Sequence, residues 1–222
     1  MPLTGQFNVP IGLELAAVFL LAITGALLAI EERYDFVGVF VLALLAAVGG
    51  GLMRDALFLP KGPPLALQDP RYLYVVALAT LLCLVVGTHL QRFRLIFLLA
   101  DALGLAIYAV VGAQRALAFG LPVAAAAFVG LANAIGGGVL RDLLTRKEVL
   151  LLKPGEFYVL AAAGGTAVFL GGTHFGGLRA ADAALWSIGT TFAIRLAAVS
   201  FNWRTRAAKP LLGRRSPEHS SH

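Results

Sequence analysis

Gly49-Gly50-Gly51-Leu52-Met53-Arg54-Asp55-Ala56-Leu57 recurs 87 positions later as Gly136-Gly137-Gly138-Val139-Leu140-Arg141-Asp142-Leu143-Leu144. At the same offset Gly25-Ala26 falls on Gly112-Ala113, and Glu14 falls on Asp101. Beyond the motif the register slips by two, and Gly87-Thr88-His89 then matches Gly172-Thr173-His174. Agreement at three separate points reads as an internal duplication, each copy a structural unit carrying one glycine triplet followed by Arg-Asp.

Both copies sit in strongly apolar sequence. Hydrophobic residues make up 59% of the 222 positions and charged residues 14%, against roughly 25% charged in a soluble domain. A soluble chain of this length could not hide so much apolar surface, so the composition implies a polytopic, all-helical membrane protein. At roughly 20 apolar residues per crossing, seven stretches qualify: Ile11–Ile30, Phe36–Met53, Tyr72–Leu90, Leu95–Ala113, Ala116–Leu140, Phe157–Phe175 and Ala183–Phe201. They form one transmembrane domain over residues 1–201: repeat one at about 11–90, repeat two at about 95–175, and a seventh helix at about 183–201. Residues 202–222 form a basic tail.

Lys and Arg residues orient the array. Arg54, Lys61, Arg71, Arg115 and Arg179 share the side of the N-terminus. Arg33, Arg92, Arg94, Arg141, Arg146, Lys147, Lys153 and the basic residues of the tail lie opposite. The positive-inside rule then puts the N-terminus outside and the C-terminus in the cytoplasm of a multi-pass plasma-membrane protein. With three spans per copy, the second copy enters the membrane upside down relative to the first. That is the inverted-repeat plan whose ion or substrate paths run along the repeat interface. The seventh span stands outside this symmetry and is expected at the periphery.

The inventory excludes enzymatic chemistry. Cys83 is the single cysteine, the four histidines show no metal-ligand spacing, and there is no phosphate loop or nucleophile elbow. No cofactor is expected. Potassium or sodium would be cargo, and bound lipid is the expected small-molecule company. The tail arginines would attract anionic lipid rather than nucleic acid.

Two readings are open for the triplets Gly49, Gly50, Gly51 and Gly136, Gly137, Gly138. One is a kink or unwound turn whose freed carbonyls face a water-filled path. The other is close helix packing through small residues. Duplication with Arg-Asp at the same spacing favours the break. Asn133 would line that path or bond between helices. Glu14 and Arg54 fall together toward the outer face, Asp101 and Arg141 toward the inner one, which suggests two symmetry-related latches. For Glu14 and Arg54 the competing reading is a place among the headgroups. Asp101 is about 10 Å into its span at helical rise, where an ionisable group must face a cavity or a partner. Adding Asp55 and Asp142 gives four acids against two arginines, a path charge of −2 that favours cations. Arg195, six residues before Phe201, either snorkels to the inner face or plays an accessory part. Pro122 kinks the fifth span or starts it.

Two Gly-Gly-Gly-x-x-Arg-Asp motifs, three-plus-three inverted spans and a seventh helix together resemble the trimeric intracellular cation channel family, in its prokaryotic branch. The resemblance implies a homotrimer whose every subunit holds its own pore, narrowed near the glycine triplets and conducting monovalent cations, potassium above all. It carries function to Gly49, Gly50, Gly51, Arg54 and Asp55, to Gly136, Gly137, Gly138, Arg141 and Asp142, and to the Lys147-Glu148 segment after the second motif. Relatives sharing the motif are also labelled glycine transporters. The alternative it leaves is a secondary carrier of a small zwitterion such as glycine.

Overall fold

The computed structural model describes residues 10–60, 62–86, 93–149, 157–201 and 203, and every regular element among them is helical. In chain order these are α1 (Ile11–Glu31), α2 (Phe36–Met53), α3 (Leu65–Gln68), α4 (Arg71–Val86), α5 (Phe93–Phe119), α6 (Val123–Leu144), α7 (Tyr158–His174) and α8 (Ala180–Ser200). A π-helical turn, Arg54–Phe58, continues α2. By length and hydropathy α1, α2 with its π turn, α5, α6 and α8 are long and apolar enough to cross a membrane, and α4 is a shorter apolar helix. Gly87-Thr88-His89, Lys61, Lys153 and the tail, except Trp203, lie outside the described residues.

Local chemistry explains the ends. The Asp35 carboxylate accepts from the Gly38 N–H at 2.7 Å and caps α2, satisfying one of the donors every helix start leaves open. α1 and α6 close on left-handed residues, Arg33 and Arg146, with the Tyr34 N–H reaching the Ala29 carbonyl and Lys147 reaching Asp142 in the pattern of a Schellman cap.

One boundary differs from the sequence reading. Gln114 and Arg115 do not separate two spans, because α5 runs through them to Phe119 and stops at Gly120. Gly120 takes φ +95, a conformation other residues rarely adopt, and Pro122 caps the start of α6 rather than kinking it. Gly-x-Pro is a helix stop and restart; the charge of Arg115 drew the boundary to the wrong place. Arg115 is therefore a helical residue, one turn in from the end of α5.

Four helices form the middle of the molecule, with α1 on α2 and α5 on α6, α1 against α5 and α2 against α6. Small residues allow the backbones to meet. A Cβ on Gly25 would strike the Leu42 carbonyl oxygen at 2.7 Å, with Ala43 and Ala46 beside it. A Cβ on Gly112 would strike Val129, Gly130 and Asn133, the same three places one repeat later. α2 and α6 cross antiparallel at the triplets, and the glycines face equivalent groups in both copies, except that Gly138 also meets the Tyr158 hydroxyl. Gly49 packs on Leu140 and Gly136 on Met53, Gly50 meets the Asn133 carbonyl and Gly137 the Ala46 carbonyl, and Gly51 and Gly138 lie beside the guanidinium groups of Arg54 and Arg141.

Helical hydrogen bonding is unbroken across both triplets. The expected unwinding is absent there, because the glycines are used for close approach. In the first copy the irregularity comes one step later, in the π turn, where the Leu59 N–H bonds the Arg54 carbonyl at 3.0 Å.

α8 lies outside the four-helix middle, as expected, and is the least buried of the five long apolar helices. It packs on α7 and α5, with Ser187 Oγ donating to the Gly165 carbonyl at 2.6 Å. Thr191 lies in the space a side chain at position 165 would need.

Candidate functional site

Two clusters of buried charge lie on either side of the glycine crossing. The first contains Glu14 of α1, Arg54 and Asp55 of the π turn, Arg115 of α5 and Asn133 of α6. Arg54 is 1% exposed and Glu14 2%, so both side chains are enclosed by protein. Arg54 Nε donates to Asp55 Oδ1 at 2.6 Å, Nη2 stands 3.5 Å from Glu14 Oε1, and Nη1 reaches Asn133 Oδ1 at 3.4 Å. The other Glu14 oxygen, Oε2, is held by Arg115. Asp55 Oδ2 accepts from the Leu65 N–H at 3.1 Å, which fastens the start of α3 over the cluster. Asn133 also donates to the Tyr108 carbonyl at 2.7 Å. Glu14, Arg54, Asp55, Gly51, Tyr72 and Tyr108 border one narrow crevice with no room for a water molecule.

The second cluster repeats this plan from the other end. Arg141 Nη1 stands 3.0 Å from Asp101 Oδ1 and donates to Thr24 Oγ1 at 3.0 Å, while Nε donates to Asp142 Oδ1 at 2.9 Å. Arg141 and Asp101 are each 1% exposed. Arg195 comes in from α8, with Nη2 3.9 Å from Asp101 Oδ2 and its guanidinium 4.8 Å from the centre of the Tyr158 ring. The Arg141 guanidinium lies 4.8 Å from the Phe97 ring in the same way, a geometry that favours cations over aromatic faces. A crevice equally closed is bordered by Gly138, Arg141, Asp142, Val149 and Tyr158.

Connections cross between the copies. Arg54 reaches Asn133 of the second copy, and Arg141 reaches Thr24 of the first. Thr24 is ten residues beyond Glu14, so the clusters are about 15 Å apart along α1, with the triplet crossing between them. α1 runs from the Glu14 cluster to the Arg141 cluster, and α5 runs back from Asp101 to Arg115.

Two findings alter the sequence reading. Arg195 does not snorkel to a water-exposed face, being 2% exposed and in contact with Asp101. The clusters hold four arginines, not two, so the count of −2 becomes zero once Arg115 and Arg195 are included. Lys147 and Glu148 belong to neither cluster. They are exposed after α6, where Lys147 Nζ pairs with Glu32 at 2.8 Å and Glu31 at 3.5 Å. Tyr72, Tyr158 and Thr24 escaped the sequence reading because an aromatic or a threonine in an apolar run carries no pattern of its own. Arg115 had a signal in the Gly120-x-Pro122 stop after it.

A family model described as glycine transporter matches this chain twice in succession, over residues 12–88 and 98–174. A solved trimeric intracellular cation (TRIC) channel orthologue from Rhodobacter sphaeroides superimposes with a TM-score of 0.80 at 32% identity, over 86% of this chain and 97% of that one. The chain belongs to the trimeric intracellular cation channel family. A second solved TRIC cation channel gives a TM-score of 0.81 at 30% identity, covering 93% of this TRIC-family chain and all of the other. Among curated relatives, a UPF0126 membrane protein of Deinococcus radiodurans is 40% identical over 165 residues, 73% of this chain and 76% of its own length. The inner membrane protein YadS of Escherichia coli is 31% identical over 191 residues, 86% and 91% of the two chains. Its apolar helices and these relatives make the chain a multi-pass membrane protein.

Proposed function

We propose that the chain is a potassium-conducting cation channel, a homotrimer with one pore per subunit at the interface of two inverted three-helix repeats. On this reading the seven spans are α1, α2, α4, α5, α6, α7 and α8, the N-terminus lies outside the inner membrane, and no cofactor is needed. The observation that carries it is the pair of buried arginine–carboxylate clusters flanking the α2–α6 glycine crossing. Four acids and four arginines at membrane depth are expensive, and such groups mark ion routes. The solved neighbours, described as TRIC cation channels, support the same reading.

Both clusters are closed here: every carboxylate is tied to an arginine. Conduction requires α2 and α6 to part at the glycines, and the latches to part with them. Arg115 is already 29% exposed at the rim, and Arg195 belongs to α8. If both withdraw with their surroundings, Glu14, Asp55, Asp101 and Asp142 face Arg54 and Arg141, and the path becomes net negative, which favours cations.

Purified protein in a planar bilayer under a KCl gradient tests this. Discrete currents reversing near the potassium equilibrium potential are expected. A silent bilayer, with saturable glycine uptake into liposomes from the same preparation, would refute the channel and establish the zwitterion carrier.

A further inference from the structure

In each cluster one carboxylate divides its two oxygens between two arginines. Glu14 gives Oε1 to Arg54 and Oε2 to Arg115; Asp101 gives Oδ1 to Arg141, and its Oδ2 faces Arg195 at 3.9 Å, an ion pair beyond hydrogen-bond reach. Arg54 and Arg141 correspond in the duplicated sequence. Arg115 and Arg195 do not: position 28 of the first copy, where Arg115 would fall, is a leucine, and α8 has no counterpart at all. The symmetric latch is therefore supplemented at its two ends by different helices.

At the Asp101 end the supplement is mechanically distinct. Ser187 Oγ bonds the Gly165 carbonyl at 2.6 Å, and Thr191 fills the notch left by Gly165, so α7 and α8 are joined as a pair. That pair carries both Tyr158, whose ring lies against the Arg195 guanidinium, and Arg195 itself. The Arg195 contact to Asp101 is the looser of the two, 3.9 Å against 3.0 Å for Arg141. A small displacement of α7–α8 would release it first.

We infer that Arg195 is a positioning residue for the gate at the Asp101 end, tying the α7–α8 pair to α5 in the closed state so that movement of this pair favours opening of that gate. The inference rests on the channel reading and assigns the helix outside the repeat to one gate only. Arg195 acts through Asp101 and, on the channel reading, has withdrawn with α8 by the time the pore conducts, so it governs how often the pore opens and not how fast an open pore conducts.

The test is single-channel recording in a planar bilayer of wild type, Arg195→Gln, Arg195→Lys, Asp101→Asn and the double variant Arg195→Gln/Asp101→Asn, reading open probability and unitary conductance separately. Arg195→Gln is expected to shift the closed–open equilibrium toward open by on the order of tenfold, a usual size for one coupling, at unchanged unitary conductance. Arg195→Lys keeps the charge but not the planar stacking group and should fall between. In the Asp101→Asn background Arg195→Gln should add little, since coupled partners are not additive. Unchanged open probability in Arg195→Gln overturns the inference, as does reduced unitary conductance alone, which would place Arg195 in the conduction path. If Arg195→Gln does not fold, an Arg195→Lys protein identical to wild type overturns it equally. A silent wild type refutes the pore and the inference with it, whereas conducting wild type with indifferent variants refutes the inference alone.

Discussion

Gly50→Ala and Gly51→Ala add the same methyl group to neighbouring residues of one helix, yet packing and backbone freedom predict different outcomes for them. A Cβ on Gly50 would stand 2.1 Å from the Asn133 carbonyl oxygen and 3.1 Å from its carbon; on Gly51 it would meet nothing closer than Arg54 Nη2 at 3.8 Å. Contact between non-bonded heavy atoms is comfortable near 3.5 Å, so α2 and α6 must separate by about 1 Å to admit the first methyl. Forcing extra volume into such a site costs about 1–3 kcal/mol. Replacing a helical glycine by alanine returns about 1 kcal/mol. Gly50→Ala should therefore be destabilising by up to about 2 kcal/mol net, and Gly51→Ala neutral or stabilising by up to about 1 kcal/mol. The difference between the two isolates the overpacking term, on the order of 5 °C in unfolding temperature if the scaling of soluble chains of this length holds. Gly137→Ala should behave like Gly50→Ala, because its Cβ meets the Ala46 carbonyl oxygen at the same 2.1 Å. Thermal unfolding of the detergent-solubilised proteins, followed by the fluorescence of Trp186 and Trp203, reads all three. Equal loss in Gly51→Ala and Gly50→Ala would refute the packing account and return the triplet to a role in bending the helix.

Three further outcomes are expected. Asp101→Asn and Arg141→Gln should each destabilise by up to about 3–5 kcal/mol, because either leaves its cluster with an unbalanced buried charge, although Asp142 still faces Arg141 and Arg195 still faces Asp101; the double variant should lose clearly less than the sum, and strict additivity in a thermal-unfolding cycle would show that the 3.0 Å pair is not coupled. Thr24→Val removes an acceptor from Arg141 Nη1 at little change in shape, with an expected loss of about 1–3 kcal/mol; a variant as stable as wild type would mean the hydroxyl is not engaged. Lys147→Ala should stay within about 0.5 kcal/mol of wild type, since its ion pairs are a third or more exposed. Partial burial pulls the Lys147 ammonium down, but Glu32 and Glu31 outweigh it and leave the pKa above the ordinary lysine value. Its small contribution is then complete below the unfolded lysine pKa and lost only as pH rises through the raised one. The wild-type and Lys147→Ala unfolding curves should run parallel between about pH 6 and 9, and a step between them in that range would count against the assignment.

Apolar runs long enough for a bilayer, the duplicated triplet with Arg-Asp, and the matching of Glu14 with Asp101 are all visible along the chain. They are local in sequence or repeated in it: hydropathy reports each helix by itself, and a duplication reports that two segments must do the same job. Glu14 with Arg54 and Asp101 with Arg141 could be paired on paper because the repeat put each acid the same distance from its arginine, 40 residues apart. Tertiary structure alone decided what else joins them. Arg115 was hidden by its charge, which suggested a loop where the helix continues, and the competing signal of Gly120 and Pro122 lay five residues further on. Arg195 comes from a helix that nothing in the repeat predicts. The choice between bending and close packing for the triplets depended on where the Asn133 and Ala46 carbonyls stand, and those belong to the opposite copy. Charge balance has the same origin. A path charge is a sum over every side chain that reaches one place, and a sequence names the charges without saying which of them meet.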